Sequence, residues 1–170
     1  LADLTTYSEL RGSIAGKKVV WCGDGNNMCN SYIEAASLMG FHLVVAAPQE
    51  YLPDEDLLIK HKDCVTITHD LKDAVRDAAL ICTDVWVSMG DKDADAKRAI
   101  LRPFQVTKEI LDNAREDVLF MHCLPAKEGE EIASGLLDDK RSGVWTQAEN
   151  RLHAQKALLE LLFASPEHTT

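Results

Sequence analysis

The chain of 170 residues has the size of one domain, and a domain of this length buries roughly two-thirds of its unfolded surface. Its composition, 46% hydrophobic and 27% charged, is typical of a globular protein, and no apolar run approaches the ~18 residues that a membrane span requires. The net charge of -10 argues against a nucleic-acid partner, because phosphate backbones select clustered lysine and arginine. Composition therefore predicts neither a membrane protein nor a nucleic-acid-binding protein.

The five cysteines show no Cys-x-x-Cys spacing. Their odd number favours free thiols over a disulfide framework or a structural zinc site, and free thiols are typical of a reducing compartment. We therefore expect a cytoplasmic protein, with the mitochondrial matrix as the alternative.

Short apolar runs alternate with stretches of helical periodicity along the chain. The predicted strands cover 17–22, 42–47, 65–68, 79–86, a run from 118, and 143–145. The predicted helices cover 1–12, 28–38, a helix opening at 53–56, 70–78, 107–114, a short helix over 130–137, and 148–163. We expect a charged loop over 91–99 that turns into a helix before Pro103, and a frayed tail over 165–170. Five to six strands separated by helices predict an α/β fold: a Rossmann-like open parallel sheet with helices on both faces, in a single domain.

A glycine turn over 23–25 directly follows the first predicted strand. It falls short of the dinucleotide fingerprint, because Met28 stands where a third glycine or alanine is needed and the second strand ends at 46–48 without an acid. The paired amides of Asn26 and Asn27 stand at the predicted start of a helix, where they could cap the helix or hold a carboxylate.

A second polar cluster, Asp-Val-Trp-Val-Ser-Met-Gly over 84–90, follows the fourth predicted strand. Asp84 can accept hydrogen bonds from an ammonium group, while Ser88 and the backbone amides of the loop can hold an anion. These are the two charged ends of an amino acid. A helix cap followed by a surface loop is the alternative interpretation.

The apolar run from Val118 stops abruptly at His-Cys-Leu-Pro over 122–125. A core cysteine, a satisfied histidine and a strand-ending proline would explain these residues structurally. Adjacent strand residues point to opposite faces, so His122 and Cys123 should not form a catalytic dyad, and no second ligand lies at metal-binding spacing.

A fourth polar cluster begins the last predicted helix, where Arg151 can present forked donors to a phosphate or carboxylate. Its neighbours Glu149 and His153 could be no more than a surface pair. Each of the four clusters follows a different strand at one edge of the sheet, which predicts a shared crevice.

Together, the motifs over 23–27, 84–90, 122–125 and 149–153 occur in the order and approximate spacing of ornithine carbamoyltransferases, and the chain resembles that family over nearly its whole length. The resemblance implies transfer of the carbamoyl group of carbamoyl phosphate to the δ-amine of L-ornithine, giving citrulline and phosphate. It also implies that no metal or organic cofactor takes part. A Rossmann-type nucleotide-binding oxidoreductase domain and a non-catalytic amino-acid-binding module are the alternatives.

The resemblance also implies roles for individual residues. The predicted ornithine-binding residues are Asn27, Asp84, Ser88 and Met89. The residues expected to contact carbamoyl phosphate are Cys123, which also lies beside the δ-amine, Leu124 through its carbonyl, and Arg151. Cys123 and Arg151 are the predicted catalytic residues.

Family members also carry an amino-terminal carbamoyl-phosphate domain whose motifs do not occur in this chain. We therefore expect 1–15 to be a linker helix from that domain, 16–150 to be the ornithine-binding domain, and 151–170 to be the carboxyl-terminal helix and tail. The complete family enzyme is implied to be a homotrimer, and we expect this half alone to be an inactive monomer.

Overall fold

The computed structural model describes residues 1–87 and 93–164. Within these ranges one parallel sheet contains the strands β1 (Lys18–Cys22), β2 (His42–Ala46), β3 (Val65–Thr68), β4 (Leu80–Thr83) and β5 (Leu119–His122). Their order across the sheet is β3-β2-β1-β4-β5. The chain first builds outward from β1 through β2 to β3 and then returns to the other side of β1, so the direction of winding reverses between β1 and β4.

The described helices are α1 (Ala2–Arg11), α2 (Asn27–Met39), α3 (Glu55–Lys60), α4 (Leu71–Ala74), α5 (Ala94–Leu101), α6 (Lys108–Asp112) and α7 (Val144–Phe163). Several start where a side chain accepts a hydrogen bond from the backbone N–H groups of the first turn, which a helix cannot satisfy internally. Asn26, Asp54, Asp70 and Thr107 serve α2, α3, α4 and α6 in this way. None of the described helices is long and apolar enough to cross a membrane.

Two apolar layers cover the two faces of the sheet, because successive strand side chains point to opposite sides. Val19 and Trp21 of β1 pack in the layer that contains residues of α1 and α2. Val20 and Cys22 pack in the opposite layer, with residues of α4 and α6. The predicted Rossmann-like parallel sheet with helices on both faces is therefore confirmed, with five strands in the described part of the chain.

Two predicted elements are wrong. The segment over 130–137 is not a helix, because its backbone instead pairs with Val106, which donates to the Glu131 carbonyl and accepts from Ala133 N–H. The predicted strand over 143–145 makes one strand-like bond, from Gly143 N–H to the Phe120 carbonyl, and the chain then turns directly into α7. The predicted fourth strand also ends earlier than expected, at Thr83 rather than at 86. Part of the predicted charged loop, 91–92, and the tail over 165–170 lie outside the described residues.

Candidate functional site

The carboxyl ends of β1 and β4 lie side by side where the winding reverses, and in open α/β sheets this is where ligands bind. The turn after β1 places Asn26 there, and the segment after β4 places Asp84. Cys123 follows β5, the next strand outward, and its side chain reaches the same point. The site is thus assembled from three segments that each leave the sheet at the same edge.

Asn26 has two roles in this arrangement. Its side-chain oxygen accepts from the N–H groups of Met28 and Cys29, at 3.0 and 3.2 Å, and so caps α2. Its Nδ2 donates to Oδ2 of Asp84 at 2.9 Å. The cap fixes the orientation of the amide, and the amide in turn fixes one oxygen of the carboxylate.

The second oxygen of Asp84 accepts from the thiol of Cys123 at 2.9 Å and from Val85 N–H at 2.8 Å. All of these donors are neutral, and among residues 1–87 and 93–164 no basic side chain forms an ion pair with Asp84. A partly buried carboxylate held only by neutral donors keeps its full charge available to a cation.

Burial raises the pKa of the Cys123 thiol well above its ordinary value, and the hydrogen bond to Asp84 and the negative charge of that carboxylate raise it further. At neutral pH the side chain is therefore a thiol that donates to Asp84. In this ligand-free arrangement it is neither a thiolate nucleophile nor a base.

Both ring nitrogens of the buried His122 are occupied. Nδ1 accepts from Leu124 N–H at 2.9 Å, so the proton of the neutral ring lies on Nε2, which contacts the buried carboxylate of Glu131 at 3.1 Å. Leu124 has φ of 53°, a left-handed conformation that is costly for a residue with a side chain, and the histidine holds its peptide in that conformation.

Asp84, His122 and Cys123 place potential metal ligands within 4.8 Å of one another. Because the Leu124 N–H and Glu131 already occupy the imidazole, only a carboxylate and a thiol remain, and zinc in proteins takes at least three protein ligands. The donor set therefore does not fit a metal centre.

An open cleft of about 430 Å³ lies beside this cluster. Cys123 and Leu124 line one wall, Arg151 of α7 lines another, and Met28 and Asp3 close the sides. Arg151 is exposed and forms no ion pair within the described ranges. Its guanidinium is thus available to an anion in the cleft.

The structure brings some of the sequence-predicted residues together and not others. Asp84 and Cys123 are in direct contact, and Cys123, Leu124 and Arg151 share the cleft. Asn27 is exposed at the first position of α2, whereas its neighbour Asn26 contacts Asp84. The predicted residues Ser88 and Met89 lie outside the described residues.

The glycine turn is packed against the protein's own chain. A Cβ on Gly25 would lie 2.3 Å from the backbone nitrogen of Pro53, and one on Gly23 would lie 2.7 Å from Nε1 of the buried Trp86. Only glycine fits these two close approaches. The turn is accounted for by close packing, and a nucleotide pyrophosphate is not needed to explain its glycines.

Comparison with known proteins agrees with this geometry. Residues 15–162 match the family model described as aspartate/ornithine carbamoyltransferase, Asp/Orn binding domain. The chain is 60% identical to ornithine carbamoyltransferase 1, anabolic, of Pseudomonas savastanoi pv. phaseolicola over 99% of its length, and 58% identical to the anabolic enzyme of Pseudomonas aeruginosa over 95%. These alignments cover 55% and 53% of the two relatives, so the chain spans about half their length.

Solved structures of ornithine carbamoyltransferases are similar to this chain as well. The ornithine carbamoyltransferase of Pyrococcus furiosus superposes with a TM-score of 0.86 at 46% identity, over 94% of this chain and 54% of that protein. The enzyme from Thermus thermophilus gives 0.86 at 42% identity, over 95% and 53%. The chain belongs to the aspartate/ornithine carbamoyltransferase family and corresponds to its Asp/Orn-binding domain.

Proposed function

We propose that the chain is the ornithine-binding half of an ornithine carbamoyltransferase, which transfers the carbamoyl group of carbamoyl phosphate to the δ-amine of L-ornithine. The observation that carries this proposal is the carboxylate of Asp84, which neutral groups hold at the reversal between β1 and β4. It suits the α-ammonium group of an amino acid.

Asn27 follows Asn26 at the first position of α2, where the positive end of the helix dipole favours an anion. The α-carboxylate of ornithine would lie there, with Ser88 and Met89 contributing from the segment after Val87. An amino acid bound this way extends its side chain toward Cys123 and the cleft.

The δ-ammonium group first loses one proton to solvent, because only the neutral amine has a lone pair with which to attack the carbamoyl carbon. The new C–N bond forms, the C–O bond to phosphate breaks, and a nitrogen proton passes to the departing phosphate. In this proposal the Leu124 carbonyl accepts from the nitrogens at the reacting centre, and Arg151 binds the phosphate as it gains charge. No cofactor or covalent intermediate enters the scheme.

The contact between Asp84 and Cys123 links substrate binding to the reacting centre. An ammonium group on Asp84 offsets the negative charge that helps to raise the pKa of the thiol. The Cys123 pKa is then lower in the ornithine complex than in the free chain, so the thiol loses its own proton more readily there, and only the resulting thiolate can accept a proton from the δ-ammonium group.

An exposed apolar face on α7 supports the proposal that a second domain is needed. Leu152, Leu161 and Phe163 are 68%, 78% and 78% exposed, and Leu158, Leu159 and Leu162 are also exposed on this helix. Contiguous apolar exposure of this kind marks protein contact surfaces. We propose that this face packs against the carbamoyl-phosphate domain, that the complete enzyme is a trimer working in the cytoplasm, and that this half alone is inactive.

Two measurements test the proposed function. Titration calorimetry on the chain should give heat of binding with L-ornithine and none with NAD, and binding of NAD alone would favour the oxidoreductase alternative. The protein that also contains the sequence upstream of Leu1 in its gene should form citrulline from ornithine and carbamoyl phosphate, while the 170-residue chain should not. Citrulline formation by the 170-residue chain at an ordinary enzymatic rate would contradict the two-domain proposal.

A further inference from the structure

A side chain, that of Gln147, satisfies a backbone N–H group on the outer edge of β5. In this edge strand the N–H groups of Phe120 and His122 face away from β4. Phe120 N–H donates to the Arg141 carbonyl at 2.8 Å, but His122 N–H donates to Oε1 of Gln147, at 3.0 Å. The glutamine, 2% exposed, thus replaces a backbone acceptor at the last strand position before Cys123.

The other end of the same amide reaches a buried network. Gln147 Nε2 donates to Oδ1 of Asp3 at 2.8 Å, and Oδ2 of Asp3 accepts from the hydroxyl of Tyr32 at 2.7 Å. That hydroxyl accepts from the thiol of Cys82 at 3.0 Å. The network joins α1, α2, β4, β5 and α7, and Gln147 is the member that connects it to the end of β5.

The spacing on α7 gives this connection a consequence for the cleft. Gln147 and Arg151 are four residues apart and therefore lie on the same face of the helix. Oε1 of Gln147 accepts from His122 N–H and so holds the strand end that precedes Cys123, while the next turn of the same helix carries Arg151. Gln147 thus links the strand end that precedes the thiol to the helix that carries the proposed phosphate-binding arginine.

We infer that Gln147 is a positioning residue for carbamoyl transfer, which fixes Cys123 and Leu124 relative to Arg151 and depends on Asp3 for its own orientation. The inference rests on the proposed function. Because catalysis is sensitive to misplacement of reacting groups by about 1 Å, loss of the amide should affect turnover more than ornithine binding.

Asn150 offers a matched control on the same helix. It is 4% exposed and its Nδ2 donates to Thr6 and Glu9, so it ties α7 to α1 as Gln147 does, and both of these hydrogen bonds stay between the two helices. Gln147→Met and Asn150→Leu each remove buried hydrogen bonds between the same two helices. A merely structural role predicts similar losses of melting temperature and unchanged turnover in both variants.

A paired exchange gives a second, independent test. Gln147→Glu keeps an acceptor for His122 N–H but sets two carboxylates against each other at Asp3. Adding Asp3→Asn restores a donor and an acceptor at every contact, since the new amide at position 3 can donate to the new carboxylate at position 147 and accept from Tyr32. The double variant should therefore recover activity that the single variant loses.

The experiment measures kcat and KM for ornithine, together with melting temperature, in the complete protein. Gln147→Met should lower kcat on the order of 10- to 100-fold with a much smaller change in KM, whereas Asn150→Leu should leave kcat near that of the parent. The double variant Gln147→Glu with Asp3→Asn should have a higher kcat than Gln147→Glu alone. Equal kcat in the Met and Leu variants, or no gain from adding Asp3→Asn to Gln147→Glu, would overturn the inference. If Gln147→Met does not fold, the exchange pair decides. A parent protein that makes no citrulline would instead refute the proposed function.

Discussion

Asp139 and Asp84 are both partly buried aspartates in loops, but they are held by different partners. Arg141 donates to Asp139 through Nε at 2.8 Å and Nη2 at 2.9 Å, and through Nη1 to Asp112 at 2.6 Å. The hydrogen bonds that Asp139 accepts from Arg141 lower its pKa to about 2. Among residues 1–87 and 93–164, the donors to Asp84 are the Asn26 amide, the Cys123 thiol and the Val85 backbone N–H.

The difference separates a structural carboxylate from one that can serve a ligand. Asp139 is neutralised by a cation from its own chain, so its contribution is to stability. Asp84 is oriented as firmly, but its negative charge is not neutralised within the described residues. A site for an ammonium group needs this combination of fixed geometry and an uncompensated charge.

The largest effect is expected from Asp84→Asn. The amide has nearly the same volume, so the melting temperature should change little, whereas loss of the charge should raise the ornithine dissociation constant on the order of 100-fold or more. Titration calorimetry measures the affinity. Asp63→Asn, an exposed position at the opposite end of the sheet, should bind as the parent does. Equal affinities in the two variants would remove Asp84 from the site.

Arg141→Met should lower the stability of the fold and leave ornithine binding unchanged, which is the opposite of the result expected for Asp84→Asn. It leaves Asp139 and Asp112 without their shared cation, and we expect a loss of about 2 kcal/mol in the free energy of unfolding with unchanged ornithine affinity. Arg115→Met breaks an exposed pair with Asp117, which water and salt screen, and should cost much less. Urea denaturation measures the free energy of unfolding of both variants. Similar losses in the two would show that the Arg141 pairs contribute no more to stability than a surface pair does.

The sheet could be predicted from the sequence because all of its strands except β3 are almost entirely buried and therefore read as continuous apolar runs. Caps such as Asp70 and Thr107 carry local signals as well. The predicted helix over 130–137 failed for a non-local reason: its backbone bonds to Val106, about 25 residues away in the chain. Local periodicity cannot reveal such a competitor.

Prediction of the site from the sequence is limited in the same way, because some of its contacts join distant parts of the chain. The position of Asp84 and Cys123 at one sheet edge follows from topology, which sequence patterns indicate. Whether Asn26 or Asn27 faces Asp84 depends on which residue starts α2, and helix boundaries are the least certain feature of a sequence. The bond between Gln147 and Asp3 joins residues 144 positions apart and leaves no mark on either local pattern.

The two asparagines can be distinguished by experiment. Asn26→Ala removes the cap of α2 and a hydrogen bond to Asp84, so it should cost about 1 kcal/mol of stability as well as weaken ornithine binding. Asn27→Ala changes an exposed residue and should leave the melting temperature unaltered while raising the ornithine dissociation constant. If Asn27→Ala binds normally, the α-carboxylate does not lie at its amide.

The smallest effect is a pH dependence that arises from the carboxylate of Asp139. Its pKa falls from 3.8 to about 2 on folding, because Arg141 favours the charged form. At pH 3 the unfolded chain thus binds a proton that the native chain does not. The stabilisation is fully present above about pH 4 and is lost as the pH falls toward 2.

Arg141→Met removes the cause of this shift, whereas the carboxylates that Arg141 does not contact keep the same surroundings in both proteins. The difference in unfolding free energy between parent and variant should therefore shrink as the pH is lowered from 5 to about 2. Urea denaturation at matched ionic strength measures it, since salt alone screens exposed pairs. If the difference in unfolding free energy stayed constant over this pH range, Arg141 would stabilise the fold through packing of its side chain. The distinction between Asp139 and Asp84 would then rest on ligand binding alone.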